Sequence, residues 1–513
     1  MIQITGLSFK FAGTSTPALN DINLTIKNGD FVIITGPSGS GKSTLCLCMG
    51  GFIPHGYDGD FTGKVMINNK DTKEHDVFEV AREIGIVQQD PESQLCTLNV
   101  MDEVAFGPEN FLLPEEEIAE RINWALKVVG ATHLRDREAS TLSGGEKQRL
   151  AIASILALKP KIIILDEPTS QLDPKATAQI FSIIKNLQCQ TNITIIVVEH
   201  KLYQILPLSS RVMVMDKGKI IIDSPSSELI TYQGKLKELG VRLPFQRRKE
   251  KTSALNVYDD VETTLEVKNL FVRYPEGNTV LENVTFNVKK GEIVGLMGDN
   301  GSGKTTLLSS ILGLNKPFSG CIILNGRDAT KMSFKERSRQ VGFIFQNPNH
   351  QIFEESVLKE TMFAPVNFGE NEKQSEEKAL MLLSAFNLMP YKDRHPFGLS
   401  YGEKRRLNLA SIFIYEPNLL LMDEPFVGQD FKNVQQLMSW TKGFVRQGKS
   451  AIMVIHDPEV AGMYCNRLIF LRKGKIIVDE PTERAFLKLA ELGEKEYTPQ
   501  IWSGKHDFLH DLQ

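Results

Sequence analysis

Two stretches of this sequence place glycines, a lysine and hydroxyls in the order that can wrap a polyphosphate. The first is Gly36-Pro37-Ser38-Gly39-Ser40-Gly41-Lys42-Ser43-Thr44 and the second is Gly298-Asp299-Asn300-Gly301-Ser302-Gly303-Lys304-Thr305-Thr306. Glycines let the backbone approach anionic oxygens closely, and a helix opening behind the loop aims free N–H groups and a positive dipole end at them. Lys42 and Lys304 would hold the β- and γ-phosphates, while Ser43 and Thr305 would place a hydroxyl on Mg²⁺. Two such loops in register exclude chance. The metal also calls for a carboxylate where an apolar strand ends, and Ile162-Ile163-Ile164-Leu165-Asp166-Glu167 and Leu419-Leu420-Leu421-Met422-Asp423-Glu424 supply one each. Asp166 and Asp423 suit the metal through water, and the adjacent Glu167 and Glu424 can polarise an attacking water as general bases.

The elements that must position these groups repeat as well. Lys42 and Lys304 are 262 residues apart; Gln89 and Gln346, Ser143 and Ser400, Glu167 and Glu424, and Asp173 and Asp430 are each 257 apart, and His200 and His456 are 256 apart. Such a register points to duplication. Each half opens with alternating strand-like text, residues 3–11 and 266–274, before a short apolar strand that feeds the phosphate loop. Further apolar runs at 162–165, 193–198, 419–422 and 451–455 read as buried parallel strands separated by helix-length segments. Both halves are therefore expected to be α/β with a mainly parallel central sheet. The expected domains are 1–233 and 264–480, with a polar, charged linker at 234–263 and a C-terminal tail at 481–513. The register breaks once: the lysine-to-glutamine interval is 47 in the first half and 42 in the second. The extra residues fall near 51–59 and form either a half-specific contact surface or, the favoured reading, a longer surface loop.

At 513 residues the chain is too long for one core, and two large halves fit it. Lys+Arg 59 against Asp+Glu 63 leaves a net charge of −4, so no global field recommends nucleic acid or an anionic membrane surface as a partner. The basic run at 247–251 is short and reads as solvated linker. No apolar stretch approaches the length of a membrane span, and the N-terminus has no basic segment ahead of an apolar core, so the chain reads as soluble and not exported. The six cysteines contain no CxxC pair and read as reduced thiols.

One family is singled out by the motifs between loop and carboxylate. Leu142-Ser143-Gly144-Gly145-Glu146-Lys147-Gln148-Arg149 and Leu399-Ser400-Tyr401-Gly402-Glu403-Lys404-Arg405-Arg406 resemble the LSGGQ signature of the ATP-binding-cassette (ABC) superfamily. Gln89 and Gln346 match its Q-loop glutamine, which also serves the metal; Ser170-Gln171-Leu172-Asp173 and Val427-Gly428-Gln429-Asp430 match its D-loop, and His200 and His456 its switch histidine. A lone histidine after an apolar strand is usually structural, but this constellation reverses that reading. The resemblance implies ATP and Mg²⁺ as cofactors. It also implies that each half adds an antiparallel β subdomain and a helical signature subdomain to its central sheet.

In that family nucleotide is sandwiched head to tail, so the two halves would pair within the one chain. One site would combine Lys42, Ser43, Gln89, Asp166, Glu167 and His200 with Ser400 and Gly402. The other would combine Lys304, Thr305, Gln346, Asp423, Glu424 and His456 with Ser143 and Gly145. Phe11 and Tyr274 match the aromatic that stacks on adenine, with a place in the core as the plainer alternative. Three departures stand out: Tyr401 replaces the first signature glycine, and Glu146 and Glu403 replace the terminal glutamine. Tyrosine lacks glycine's freedom and brings a bulky ring near phosphate, so two competent sites with unequal rates are expected, the one built on Lys304 being the more ordinary.

The text after each Q-loop is more specific still. Gln89-Asp90-Pro91-Glu92-Ser93-Gln94 followed by Phe106-Gly107-Pro108-Glu109-Asn110, and Phe345-Gln346-Asn347-Pro348-Asn349-His350-Gln351-Ile352-Phe353 followed by Phe363-Ala364-Pro365-Val366-Asn367, look like the ATPase component of energy-coupling-factor importers for vitamins, cobalt or nickel. That resemblance implies two membrane partners, a transmembrane T-type coupling subunit and a substrate-binding S-type subunit, at the cytoplasmic face of the cell membrane. The transported substrate would not touch this chain, and nucleic acid is not an expected partner. Gly51-Phe52-Ile53-Pro54-His55 also looks like ATPases assigned to thiamine-precursor or other vitamin uptake. The alternatives are the tandem ATPase of a sugar-type importer, a soluble ABC protein acting on ribosomes or DNA, and a scaffold without turnover, which the retained Glu167 and Glu424 disfavour.

Overall fold

Residues 1–242, 262–274 and 277–499 are described by the computed structural model, and they fall into two compact units, one for each half of the duplication. In the first unit the strands are β1 (Ile2–Phe11), β2 (Leu19–Ile26), β3 (Phe31–Thr35), β4 (Gly59–Ile67), β5 (Lys70–Asp71), β6 (Ile84–Val87), β7 (Ile162–Asp166), β8 (Thr194–Val198), β9 (Arg211–Asp216) and β10 (Lys219–Pro225). They form an antiparallel sheet of order β2-β1-β4-β5 and a six-stranded sheet of order β10-β9-β3-β8-β7-β6. Every pairing in the larger sheet is parallel except that of the edge strand β10 with β9. This is the expected α/β fold.

Continuous apolar text becomes parallel strand here because both faces of the sheet are covered. Along β3, β7 and β8 alternate residues point to opposite faces. Val32, Ile34, Ile162, Ile164, Ile196 and Val198 join the antiparallel sheet and Leu45, Cys46 and Met49 of the loop-following helix Lys42–Met49 in one core. Phe31, Ile33, Ile163, Leu165, Ile195 and Val197 face the other way, onto Val104, Leu126, Leu150 and Ile184 of the helices. The phosphate loop thus leaves a strand clamped between two cores.

The second unit repeats this plan. Its strands are β11 (Thr263–Arg273), β12 (Thr279–Lys289), β13 (Ile293–Gly298), β14 (Ser319–Leu324), β15 (Arg327–Asp328), β16 (Val341–Ile344), β17 (Leu419–Met422), β18 (Ser450–Val454), β19 (Arg467–Arg472) and β20 (Lys475–Pro481). The sheet orders, β12-β11-β14-β15 and β16-β17-β18-β13-β19-β20, map strand for strand onto the first unit.

Two boundaries differ from the expected ones. The chain remains packed beyond residue 233, because helix Gln233–Glu238 buries Leu236 and the following Val241 in the first unit's core. After residue 481, helix Thr482–Glu491 buries Ala485, Phe486 and Leu489, so the first part of the expected tail belongs to the second unit. The remainder of the linker, including the basic run at 247–251, and the tail from residue 500 lie outside the described residues.

The antiparallel sheets turn on one glycine each. Gly63 has φ +88, and a Cβ there would stand 2.4 Å from the Gly6 carbonyl oxygen, beside the bulge where the β1–β4 register shifts between Thr5 and Ser8. Gly320 repeats the position with φ +90, its Cβ falling 2.3 Å from the Asn269 oxygen. Gly63→Ala should therefore cost about 1–3 kcal/mol in thermal or denaturant unfolding. Gly234→Ala, in helix Gln233–Glu238 with open space around it, should be neutral or mildly stabilising.

Candidate functional site

In each unit the phosphate loop, the carboxylate strand end and the histidine strand end meet, because β3, β7 and β8 (β13, β17 and β18 in the second unit) are parallel neighbours whose C-terminal ends share one edge. Gly41 and Gly303, at φ 100 and 102, turn each loop into its helix. Gly39 and Gly301 also take positive φ. The lysine ammonium folds back over the loop. Lys42 Nζ donates to the carbonyls of Gly36 at 3.0 Å and Pro37 at 2.8 Å, and Lys304 Nζ to those of Gly298 at 2.9 Å and Asp299 at 2.8 Å. Burial lowers the Lys42 pKa, opposed by the nearby charges of Glu167 and Asp166. Ser43 and Thr305 are exposed at the loop mouth, whereas Ser40 and Ser302 are buried with hydroxyl oxygens that have no hydrogen-bond partner among the described residues.

Glu167 and Glu424 are the best-organised groups of the site. Both are non-glycine residues in left-handed backbone, at φ 46 and 44, which strains the strand end and aims the carboxylate away from the strand's own line. Each carboxylate is held on both oxygens. Gln89 Nε2 donates to Glu167 at 2.9 Å and His200 Nε2 lies 3.0 Å from its other oxygen. In the second unit Gln346 Nε2 donates to Glu424 at 2.9 Å, with His456 Nε2 at 2.7 Å. Burial pushes the Glu167 carboxyl up, but the His200 hydrogen bond and the charges of His200 and Lys42 outweigh it and hold the pKa below the usual value. Glu167 is thus an ionised acceptor ready to polarise water.

Asp166 and Asp423 show the opposite behaviour. Burial raises both to about 6, although hydrogen bonds from Ser43 and Thr305 pull the other way, and the neighbouring glutamate adds repulsion. In each aspartate one buried oxygen has no hydrogen-bond partner among the described residues. A buried, unpartnered carboxylate oxygen beside a hydroxyl fits a hard cation that accepts oxygen ligands and water, so the pairs Asp166–Ser43 and Asp423–Thr305 suit Mg²⁺.

The signature serines cap helices. Ser143 precedes helix Gly144–Ala157 and Ser400 precedes helix Tyr401–Phe413, each in a capping box with Glu146 or Glu403. The two glutamates that depart from the expected glutamine thus close the helix N-termini, their carboxylates accepting from the serine N–H at 2.8 Å. Gly145 and Gly402 lie in the first turns of those helices. Tyr401 does something the sequence expectation did not include: its hydroxyl donates to the Gln346 carbonyl of its own unit at 3.2 Å. Arg405, one turn on and buried, donates to the Phe345 and Gln346 carbonyls at 2.5 Å each. The first unit has Gly144 and Gln148 in these places, and Gln148 Nε2 is buried without a partner among the described residues. The second Q-loop is thus held to its helix through Tyr401 and Arg405, whereas the first is held through Lys147, which pairs with Glu92.

The two aromatics are held differently. Tyr274 is half-exposed with its hydroxyl 3.3 Å from Thr306, in the first turn of the loop-following helix. Phe11 packs edge-on against Phe9 at 4.8 Å and Tyr57 at 6.2 Å. Tyr57 lies in the extra segment of the first half, so that segment widens the aromatic surface beside Phe11. Sequence reasoning missed Tyr57 and Arg405, whose signals were their positions in an insertion and on a signature helix. It also missed Glu199, which accepts from Thr169 Oγ1 at 2.6 Å and from the His200 N–H at 2.8 Å and so fixes the histidine loop.

Comparison with known proteins places these arrangements in context. The family model described as ABC transporter matches residues 19–170 and 281–427. A Methanosarcina mazei protein, provisionally named an ABC transporter ATP-binding protein, is 36% identical over 544 residues, covering 98% of this chain and 92% of its own length. YkoD of Bacillus subtilis, provisionally named an HMP/thiamine import ATP-binding protein, is 35% identical over 524 residues, covering 96% of this chain and 94% of its own. Among solved structures, cbiO1 from Clostridium perfringens, described as part of the ABC transporter complex cbiONQ, is 34% identical over 47% of this chain and 95% of its own, with a TM-score of 0.41.

The raised aspartate pKa has a measurable consequence. Its folded value, about 6, lies above the unfolded value of about 4, so the stability gained by proton uptake is present at low pH and is lost as pH rises through 6. Asp166→Asn removes that loss. In nucleotide-free, metal-free protein it should raise the thermal midpoint at pH 8, by the equivalent of about 3 kcal/mol, and the gain should shrink steadily as pH falls from 7 to 5.

Proposed function

The chain belongs to the ABC transporter family as an ATP-binding protein with two tandem cassettes, and from that premise we propose that it energises an importer of the energy-coupling-factor type. One observation carries this reading: a hydrophobic surface directly behind each Q-loop. In the second unit Phe353 and Phe363 pack edge-on at 4.5 Å, yet are 59% and 38% exposed. In the first unit Leu98, Met101 and Phe106 are likewise exposed. Each loop is shaped from beneath by a buried glutamate. Glu103 accepts from the N–H groups of Cys96 and Thr97, and Glu360 from those of Phe353 and Glu354, at 2.9–3.0 Å. An apolar patch held rigidly and left open is built to receive something, and in this proposal it receives the cytoplasmic helices of a T-type membrane subunit that works with an S-type substrate-binding subunit. Among the described residues no helix is long and apolar enough to cross a membrane, so the membrane path would belong to those partners.

The chemistry follows from the residues of each unit. ATP supplies the anionic γ-phosphate and leaving group; Ser43 and Asp166, or Thr305 and Asp423, would hold Mg²⁺, which would neutralise phosphate charge when bound. The phosphate loop binds, Glu167 and Glu424 polarise the attacking water, and His200, His456, Gln89 and Gln346 hold those carboxylates in place. In this reading Ser400 and Gly402 complete the site of Lys42, and Ser143 and Gly145 that of Lys304. Binding then closes the pair, and hydrolysis releases it. A glutamine between the membrane-facing loop and the catalytic carboxylate links the two events. The import name of the Bacillus relative, together with the Gly51–His55 text, favours a thiamine precursor or related vitamin as the imported substrate.

Recovery of the tagged chain from detergent-solubilised membranes should bring down an S and T pair. Phe353→Asp should reduce that recovery severalfold while ATP binding persists, and recovery of ribosomes or a sugar permease instead would sink the reading. The clamp on the second Q-loop keeps the expected inequality of the sites in play. Glu424→Gln should lower ATP turnover by more than about tenfold and Glu167→Gln by less; equal losses in steady-state assays would count against unequal sites.

A further inference from the structure

The second phosphate loop is tied to a part of the chain far from the cassette motifs. Beyond helix Thr482–Glu491 the backbone turns through a short helical segment, Lys495–Tyr497, in which Tyr497 is fully buried. Its ring meets Phe470 of β19 edge-on at 4.8 Å, and its hydroxyl donates to the Asp299 carboxylate at 2.6 Å. Arg472, which ends β19, pairs with Glu494 and lies 3.9 Å from the other Asp299 oxygen. The Asp299 backbone carbonyl in turn accepts from Lys304 at 2.8 Å. β19 pairs in parallel with β13, the strand that feeds the loop, with Leu471 beside Gly298. This C-terminal segment therefore grips both the loop and the strand next to it.

The first loop needs no such grip. Its corresponding residue is Pro37, whose ring fixes φ by itself and which carries no charge. Asp299 has neither property: its backbone is freer, and its carboxylate would repel phosphate unless it were turned aside and neutralised. Tyr497 and Arg472 do both. We propose that Tyr497 is a positioning residue for ATP binding at the second site: its hydroxyl holds Asp299 so that the loop stays open to phosphate. The proposal rests on the reading of this loop as an ATP site and makes residues beyond 481 part of the second cassette's nucleotide machinery.

The test uses the full chain in a Lys42→Ala background, so that a fluorescent ATP analogue reports the second site. Tyr497→Phe keeps the ring on Phe470 and removes only the hydroxyl. It should weaken analogue binding about three- to tenfold and raise the KM for ATP similarly, with kcat within about twofold and the thermal midpoint unchanged. In a double-mutant cycle with Asp299→Ala the two losses should be strongly non-additive. Unchanged affinity in Tyr497→Phe, with or without a lower thermal midpoint, would overturn the proposal, as would additive losses. Lys304→Ala in the same background should abolish binding. If it does not, the loop reading itself fails; if it does while Tyr497→Phe binds normally, only the brace fails.

Discussion

Everything in each unit serves a single strained carboxylate. Glu167 and Glu424 sit in left-handed backbone at the end of a buried strand, a conformation that costs on the order of 1–3 kcal/mol and persists only where the surroundings over-determine it. They are over-determined here by hydrogen bonds from a glutamine after one neighbouring strand and a histidine after the other. Those partners can arrive together only because the strands are parallel and end at a common edge. The two cores on either face of the sheet keep that edge from relaxing.

The same edge concentrates charge that the fold would otherwise expel. Asp166 lies beside Glu167 with one oxygen buried and without a hydrogen-bond partner among the described residues, and burial drives its proton affinity up while His200 and Lys42 drive that of Glu167 down. Two adjacent carboxyls are thereby split into an ionised acceptor and a group whose burial is costly. A site tuned in this way is less stable empty than filled, which is the condition for ligand binding to drive a conformational cycle.

Duplication did not produce two equal copies. The second unit clamps its Q-loop with Tyr401 and Arg405 and braces its phosphate loop with Tyr497, whereas the first places Gly144, Gln148 and Pro37 at the matching positions and adds Tyr57 beside its aromatic. Each difference lies within contact distance of a site residue and leaves the sheet topology untouched. The framework is shared and the restraints on its loops are private.

Sequence alone determined the duplication and the parallel α/β plan, and it named the groups that the fold brings to one sheet edge, because those depend on spacing and on residue type: an apolar run long enough to be buried, a glycine where the loop must turn, a carboxylate one residue past a strand. Glu146 and Glu403 were legible as departures but not as helix caps. Tyr401 was legible as bulk near phosphate, but not as a donor to its own Q-loop carbonyl. Tyr497 was invisible, a lone aromatic in a segment that read as tail. Only tertiary structure could decide these, because each depends on where a side chain's polar atom ends up once distant segments pack together. The contact of Tyr497 with Asp299 spans 198 residues of chain, and no local periodicity encodes it.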